Sequence, residues 1–143
     1  MTIKYQDCKV AFATAHKSIE SLGFKLVAAD PPPPPRSFWG YIENFETEQF
    51  RLSLYFDVRD HRVEFYLAQK SFGESKDLSQ LWLLMKLGSH QAVKTSCTSA
   101  KMMPKIVAAQ LEQLKVVIAK IKAMPEQDRR DLALAEHPWG SNE

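Results

Sequence analysis

The feature that most constrains the fold is an unbroken alternation of apolar and polar residues between positions 50 and 59. The apolar set is Phe50, Leu52, Leu54, Phe56 and Val58, and the alternating set is Arg51, Ser53, Tyr55, Asp57 and Arg59. Successive side chains of a β-strand point to opposite faces of its sheet. The segment therefore predicts a half-buried strand whose apolar set faces the core.

Segments on both sides of this strand also have the composition of strands. Residues 37–45 and 62–69 are rich in aromatic and β-branched side chains, and short polar connections at 46–48 and 60–61 join them to the central segment. Connections of this kind join antiparallel neighbours. A short alternating segment at 24–28 precedes them, so the sequence predicts a four-stranded antiparallel sheet.

Other segments have the three- and four-residue spacing of amphipathic helices. The predicted helices are 8–22, 77–87, 104–124 and 126–136. Gly23 follows the first at the position of a left-handed C-cap, and Asp77 with Gln80 has the spacing of a capping box. The apolar stripe from Val107 to Ile121 can cover the sheet, or it can pair with a second copy as a coiled coil. We predict an α+β two-layer fold: the sheet with an N-terminal helix and long C-terminal helices packed on it.

The length of 143 residues suits one domain. A chain of this length buries roughly 68% of the surface that it exposes when unfolded, which is enough for a core without disulfides or metals. We expect a single α+β domain over residues 1–143. Within it, the proline run Pro31–Pro35 is expected to be a stiff surface connector, and residues 138–143 a frayed tail.

Charge and cysteine content restrict the partners and the compartment. The 19 basic and 17 acidic residues leave a net charge of +2, which argues against a nucleic-acid partner. Cys8 and Cys97 lie far apart and have no metal-ligand spacing, as is typical of reduced thiols in a cytoplasmic protein. The longest apolar run, 81–85, is too short to cross a bilayer, and no signal peptide is recognisable. We expect a cytoplasmic protein with no membrane partner.

Residues 88–95 come close to the phosphate-binding P-loop motif. Val93 stands where that motif needs its second glycine, and a side chain there would crowd the backbone cradle. The segment also follows a predicted helix, whereas a P-loop follows a strand. We therefore reject a P-loop nucleotide site.

Sequence motifs for catalysis or metal binding are missing. The four histidines, His16, His61, His90 and His137, are scattered and do not have metal-ligand spacing. Nucleophile elbows, glycine-rich dinucleotide loops and paired carboxylates are absent too. The sequence predicts no catalytic residue, no metal and no cofactor, while a site assembled from distant residues stays open.

The sheet face opposite the core is the feature that favours a function. The predicted partner-binding residues on this face are Trp39, Tyr41, Arg51, Tyr55 and Tyr66. Their common orientation depends on matching Phe38, Gly40 and Ile42 to the core, which turns Trp39, Tyr41 and Glu43 outward. Aromatic side chains with arginine are enriched at protein interfaces.

Competing interpretations of this aromatic face remain open. The apolar helix 77–87 can cover it internally, two copies can pair through it, or the tyrosines can be cross-strand pairs with hydrated hydroxyls. Stacking of single-stranded nucleic acid is a weaker alternative, because acidic residues lie in the same patch.

The order of the predicted elements, α-β-β-β-β-α-α, broadly resembles that of small bacterial binding proteins such as secretion chaperones and toxin-immunity proteins. This resemblance is one of architecture, and it implies a protein that neutralises or escorts a protein partner. From the aromatic face we therefore expect a non-enzymatic protein-binding module, with a heterologous partner or a second copy. The alternative is a small-molecule-binding or enzymatic domain with a site between sheet and helices.

Overall fold

The computed structural model describes residues 2–35 and 37–136, and this part of the chain is an α+β fold with a five-stranded antiparallel sheet and four α-helices. In chain order the elements are α1 (Tyr5–Ser21), β1 (Lys25–Ala29), β2 (Gly40–Glu46), β3 (Phe50–Asp57), β4 (Arg62–Gln69), β5 (Lys76–Asp77), α2 (Leu78–Leu84), α3 (Met103–Ala123) and α4 (Glu126–Leu134). A 3-10 helix, His90–Ala92, lies between α2 and α3. The predicted tail at 138–143 lies outside the described residues.

The strands follow one another across the sheet in chain order, from β1 to β5. β3 is central, and its Leu54 lies opposite Glu43 of β2 and Phe65 of β4. Leu52, Leu54 and Phe56 are at most 1% exposed. The alternation predicted for this segment is therefore confirmed, with the apolar set facing the core.

The core lies between one face of the sheet and the helices. α1 contacts β2, α3 contacts β4, and the two helices contact each other. Residues of the α3 stripe, Val107, Leu111, Leu114, Ile118 and Ile121, share one buried cluster with Phe50, Leu52 and Leu54. The predicted packing of the long helix on the sheet face that carries Phe50, Leu52 and Leu54 is confirmed, and its main contact with the sheet is through β4.

The sequence predicted four strands, and the structure has a fifth. β5 is only two residues long and pairs with Tyr66 and Leu67 of β4. A two-residue strand is too short to have a recognisable alternation. Its second residue, Asp77, was predicted to be the first residue of the helix 77–87. That helix, α2, begins at Leu78 behind the predicted capping box: the Asp77 carboxylate accepts from Gln80 N at 2.8 Å, and Asp77 N donates to Gln80 Oε1 at 3.0 Å.

The two edges of the sheet differ in how their backbone groups are satisfied. Along β4, Val63 N donates to Thr95 O at 2.8 Å, and the fully buried Gln110 accepts from Phe65 N at 3.1 Å and donates to Val63 O at 2.7 Å. β5 covers the rest of this edge. One strand edge is thus closed by a loop, a side chain and a short strand, a common protection against further pairing.

The β1 edge has other features that hinder the addition of a further strand. All five residues of β1 are exposed, including Leu26 and Val27. The pairing with β2 shifts between Leu26 and Ala28, which marks a bulge or irregularity. Short length, a bulge and a following proline run all hinder the pairing of an edge strand with another chain.

The predicted orientation of β2 was wrong. Tyr41 lies opposite Phe56 and Glu43 lies opposite Leu54, and both face the core with 1% and 2% exposure. The prediction matched Phe38, Gly40 and Ile42 to the core, but β2 begins only at Gly40, and the buried positions within it are the odd ones. Burial of Glu43 is possible because Tyr41 donates to one of its carboxylate oxygens and His16 Nε2 lies 2.6 Å from the other.

Candidate functional site

The outer face of the sheet, which we define as the side opposite the core, has partly exposed side chains across β2, β3 and β4. Its members include Ile42, Asn44, Arg51, Ser53, Tyr55, Asp57, Arg62, Glu64 and Tyr66, of which Arg51 and Arg62 are exposed and the others half-buried. α2 does not cover them: it contacts α3 on the core side and contributes Leu78 and Leu81 to the core. The competing interpretation that helix 77–87 buries this face is not supported.

Tyr55 lies at the centre of the outer face, and its ring lies against Gly40 of the neighbouring strand β2. A Cβ at Gly40 would be 3.4 Å from the Tyr55 ring and 2.7 Å from the carbonyl oxygen of Phe56. Gly40 thus makes room for the ring, and a larger residue would displace it. Partial burial, with Asp57 and Glu64 nearby, raises the pKa of Tyr55, so its hydroxyl is a neutral donor at physiological pH.

Tyr66 is fixed by a charged pair on its own strand. Its hydroxyl donates to Glu64 Oε1 at 3.1 Å, and the Arg62 guanidinium lies 3.4 Å from the other oxygen of Glu64. Burial is the main cause that raises the pKa of both Tyr66 and Glu64, while Arg62 opposes the shift. The Tyr66 ring therefore has a defined position on the outer face, where Tyr66 lies opposite Ser53.

Trp39 is the most exposed large apolar side chain of the described residues, at 81%. It precedes β2, and its carbonyl accepts from Val58 N at 3.4 Å. The neighbouring Phe38 packs inward, with its ring stacked on Phe56 at a centroid distance of 6.5 Å. An anchored backbone thus presents an indole to solvent at the end of β2, next to the glycine that Tyr55 covers.

Tyr41 belongs to a different site, between the sheet and α1. Its hydroxyl donates to Glu43 Oε2 at 2.5 Å, and His16 Nε2 of α1 lies 2.6 Å from Glu43 Oε1. Burial, followed by the hydrogen bond to Glu43, raises the pKa of Tyr41. Both carboxylate oxygens are used, so this cluster joins α1 to β2 as a structural group.

Of the five residues predicted to form one patch, the structure brings Arg51, Tyr55 and Tyr66 together on the outer face. Trp39 is exposed just before β2, where its backbone lies opposite Val58, and Tyr41 lies on the core side of the sheet. Sequence reasoning missed Ile42 and Asn44, which replace Tyr41 and Glu43 on this face. The Asn44 side chain accepts from the Ser53 hydroxyl at 2.6 Å, a cross-strand pair that an alternative register of β2 would have revealed.

The described part of the chain contains no helix that is long and apolar enough to cross a membrane. Within residues 2–35 and 37–136, no three side chains of His, Cys, Asp or Glu form a group able to hold a metal ion. Cys8 and Cys97 are buried free thiols.

No protein-family model matches the chain, and neither a curated protein nor a solved structure is significantly similar to it.

Proposed function

We propose that this chain is a non-enzymatic protein-binding module that holds a protein partner against the outer face of its sheet. The observation that supports this most is a central sheet face that none of the described helices covers, together with Trp39, which is 81% exposed just before β2. Arg51, Tyr55 and Tyr66 supply the aromatic and arginine side chains that protein interfaces favour.

Preorganisation of this face supports the same proposal. Tyr66 is held by Glu64, and Tyr55 lies across Gly40, so both rings are already ordered before any partner arrives. Binding then costs less side-chain entropy than it would with mobile aromatic groups. The mixed charge of the face, with Arg51 near one end of β3 and Asp57 and Glu64 towards the other, suits a protein surface better than a polyanion.

The finer form of the proposal is that the module neutralises or escorts its partner in the cytoplasm. The element order resembles that of toxin-immunity proteins and secretion chaperones, which is an analogy of architecture. The two free thiols support a reducing compartment.

Photo-crosslinking tests this proposal directly. A benzophenone amino acid is placed at position 39 in one variant and at Val116 in a control, since Val116 is a 40%-exposed apolar residue on α3. The expected result is one protein partner crosslinked in the native host from position 39 and not from position 116. Crosslinks of equal yield from both positions contradict a partner on the outer face.

Affinity measurements with the purified partner complete the test. Trp39→Ala and Arg51→Glu are expected to weaken binding by 2 kcal/mol or more, about 30-fold, as truncated anchors do. Lys17→Glu on α1 is the matched charge reversal and should bind as the wild type does. All three sites are exposed, so the free energy of unfolding should change by only about 0.5 kcal/mol. Unchanged affinity in the first two variants contradicts the proposal.

A further inference from the structure

A second surface feature lies at the β4 edge and adjoins the outer face at Arg62, whose partner Glu64 lies opposite Tyr55. It is a cleft of about 520 Å³ between the turn that joins β3 to β4, the start of α2 and the loop that precedes α3. The residues of this cleft that matter here are Asp60, Arg62, Ser79, Lys94, Thr95 and Ser96. Its volume is in the range of small-molecule sites.

The loop that forms one wall of the cleft is tied to the fold at successive residues. Gln113 donates to Ala92 O at 2.9 Å, Gln110 donates to Lys94 O at 2.8 Å, and Val63 N donates to Thr95 O at 2.8 Å. A further pair links Ser96 to Arg62 in a β-bridge. The loop backbone is therefore held in place although most of the loop is irregular, and its side chains project from fixed positions.

Hydrogen-bond donors without partners face this cleft. Among the described residues, the hydroxyls of Thr95 and Ser96 make no hydrogen bond, and the Lys94 ammonium makes no ion pair. The Ser79 hydroxyl differs, because it already donates to Asp77 at 2.6 Å. Several free donors on a held backbone are a binding arrangement for an acceptor-rich group.

The charges of the cleft favour an anion. Among the described residues that line it, Arg62 and Lys94 are the permanent cations and Asp60 is the one carboxylate. Asp60 is partly neutralised by Arg59, whose Nε lies 3.5 Å from it. Arg62 contacts Glu64 at 3.4 Å, which leaves most of the donors of its five-donor guanidinium for a ligand.

We propose that this cleft binds a phosphate monoester group, with Arg62 and Lys94 as its charged donors and Thr95 and Ser96 as its hydroxyl donors. Arginine, lysine and hydroxyl side chains are the usual protein donors to phosphate oxygens. The site differs from the rejected P-loop, because it uses side chains and not a backbone cradle, and Val93 is buried and only 4% exposed. The phosphate belongs either to a small metabolite or to a phosphorylated residue of a protein.

Amide NMR titration of the full chain tests the site with defined probes at 150 mM NaCl, where attraction to isolated surface charges is screened. Inorganic phosphate and O-phosphoserine are expected to shift amides of residues 62 and 89–97 in a saturable manner. Lys94→Gln and Arg62→Gln should each weaken binding roughly tenfold, as expected for one charge-assisted hydrogen bond. Lys101→Gln, an exposed lysine outside the cleft, is the matched control and should bind as the wild type does.

Each outcome of this titration has a defined meaning. A phosphoserine peptide that binds at least tenfold tighter than O-phosphoserine identifies a phosphoprotein ligand, and equal affinities identify a small metabolite. Shifts spread over surface lysines, or the same affinity in Lys94→Gln and wild type, overturn the proposal. The dispersed amide spectrum of each variant shows that it is folded. Trp39 and Tyr55 do not line the cleft, and Lys94→Gln leaves the Arg62–Glu64 pair next to Tyr66 intact, so this site can fail while the protein-binding proposal holds.

Discussion

At the scale of single residues, the buried carboxylate of Glu43 joins α1 to the sheet. Glu43 is 2% exposed, and it accepts from Tyr41 and contacts His16, so its oxygens are satisfied without water. Such a group stabilises little by itself, but the removal of one partner leaves a buried charge without compensation. The three side chains should therefore behave as a unit.

Tyr41→Phe is expected to lower the free energy of unfolding by about 1.5–3 kcal/mol, because it removes a hydrogen bond to a charged group. Urea denaturation of this variant, of Glu43→Gln and of the double variant measures the coupling. Tyr5→Phe is the matched control: its hydroxyl donates to a neutral carbonyl, that of Asp30, at 3.1 Å. A Tyr41→Phe variant as stable as the wild type contradicts the structural role of the cluster.

The two thiols are buried in the same core as this cluster. Burial, with a smaller contribution from Asp7, raises the pKa of the Cys8 thiol to about 12, and burial also raises the pKa of Cys97. The thiolate is the reactive form. Both cysteines should therefore resist alkylation by iodoacetamide at pH 8 until urea unfolds the chain, and rapid labelling of the folded protein is the contrary result.

Cys8 also makes stability depend on alkaline pH. The unfolded chain loses the thiol proton near pH 8.5, whereas the folded chain holds it to about pH 12. Above pH 8.5 the unfolded state binds fewer protons, so stability is complete below this pH and falls as pH rises toward 12. Cys8→Ala should show a shallower fall in urea denaturation between pH 8 and 10.5. An identical slope contradicts the raised pKa.

At the scale of elements, two helices end with the same motif but with different residues. After α1, Gly23 N donates to Glu20 O and Phe24 N to Ile19 O; Gly23 has a φ of 96°. After α2, Lys86 N donates to Leu83 O and Leu87 N to Trp82 O, and Lys86 takes the left-handed position with a φ of 59°. Both are Schellman ends, and only the first has the residue without a Cβ penalty.

Exchange of these residues gives a matched pair of predictions. Gly23→Ala should lower the free energy of unfolding by about 1–2 kcal/mol, because a Cβ is disfavoured at positive φ. The site has room, with only a Thr47 methyl at 3.9 Å, so packing does not interfere. Lys86→Gly should raise the free energy of unfolding by up to about 1 kcal/mol. The gain is limited because glycine also increases the conformational entropy of the unfolded chain. Chemical denaturation checks both, and a destabilised Lys86→Gly contradicts strain at this end.

The same elements show what the sequence could predict. Periodicity located α1, β3 and α3, because each has an apolar face long enough to be recognised, and the capping box located the start of α2. Periodicity could not locate β5, because a strand of two residues is too short to show an alternation. It inverted β2, because Tyr41 and Glu43 satisfy each other in the core, and a pattern that treats carboxylates as solvent-facing cannot detect such a pair. The predicted patch lost Tyr41 for this reason.

At the scale of the whole molecule, the apolar stripe of α3 decides whether two chains can pair as a coiled coil. Its stripe faces the sheet of its own chain: Leu114 and Val107 are fully buried, and Ile118 is 3% exposed. The opposite side of the helix carries exposed Val116. A helix that has buried its stripe in its own core has no second apolar seam for a coiled coil. A second copy, if it binds, must therefore use another surface, such as the outer face.

Leu114→Glu tests this placement, with Val116→Glu as its control on the exposed side of α3. A carboxylate at 114 would lie among apolar residues without a partner, and the loss of the leucine side chain alone costs about 2–5 kcal/mol. Desolvation of the charge adds several kcal/mol, a sum comparable to the 5–15 kcal/mol that stabilises a typical domain. We expect Leu114→Glu to be largely unfolded by circular dichroism, while Val116→Glu stays folded and sediments as the wild type does. A folded monomeric Leu114→Glu beside a dimeric wild type in analytical ultracentrifugation would instead place the stripe between two chains.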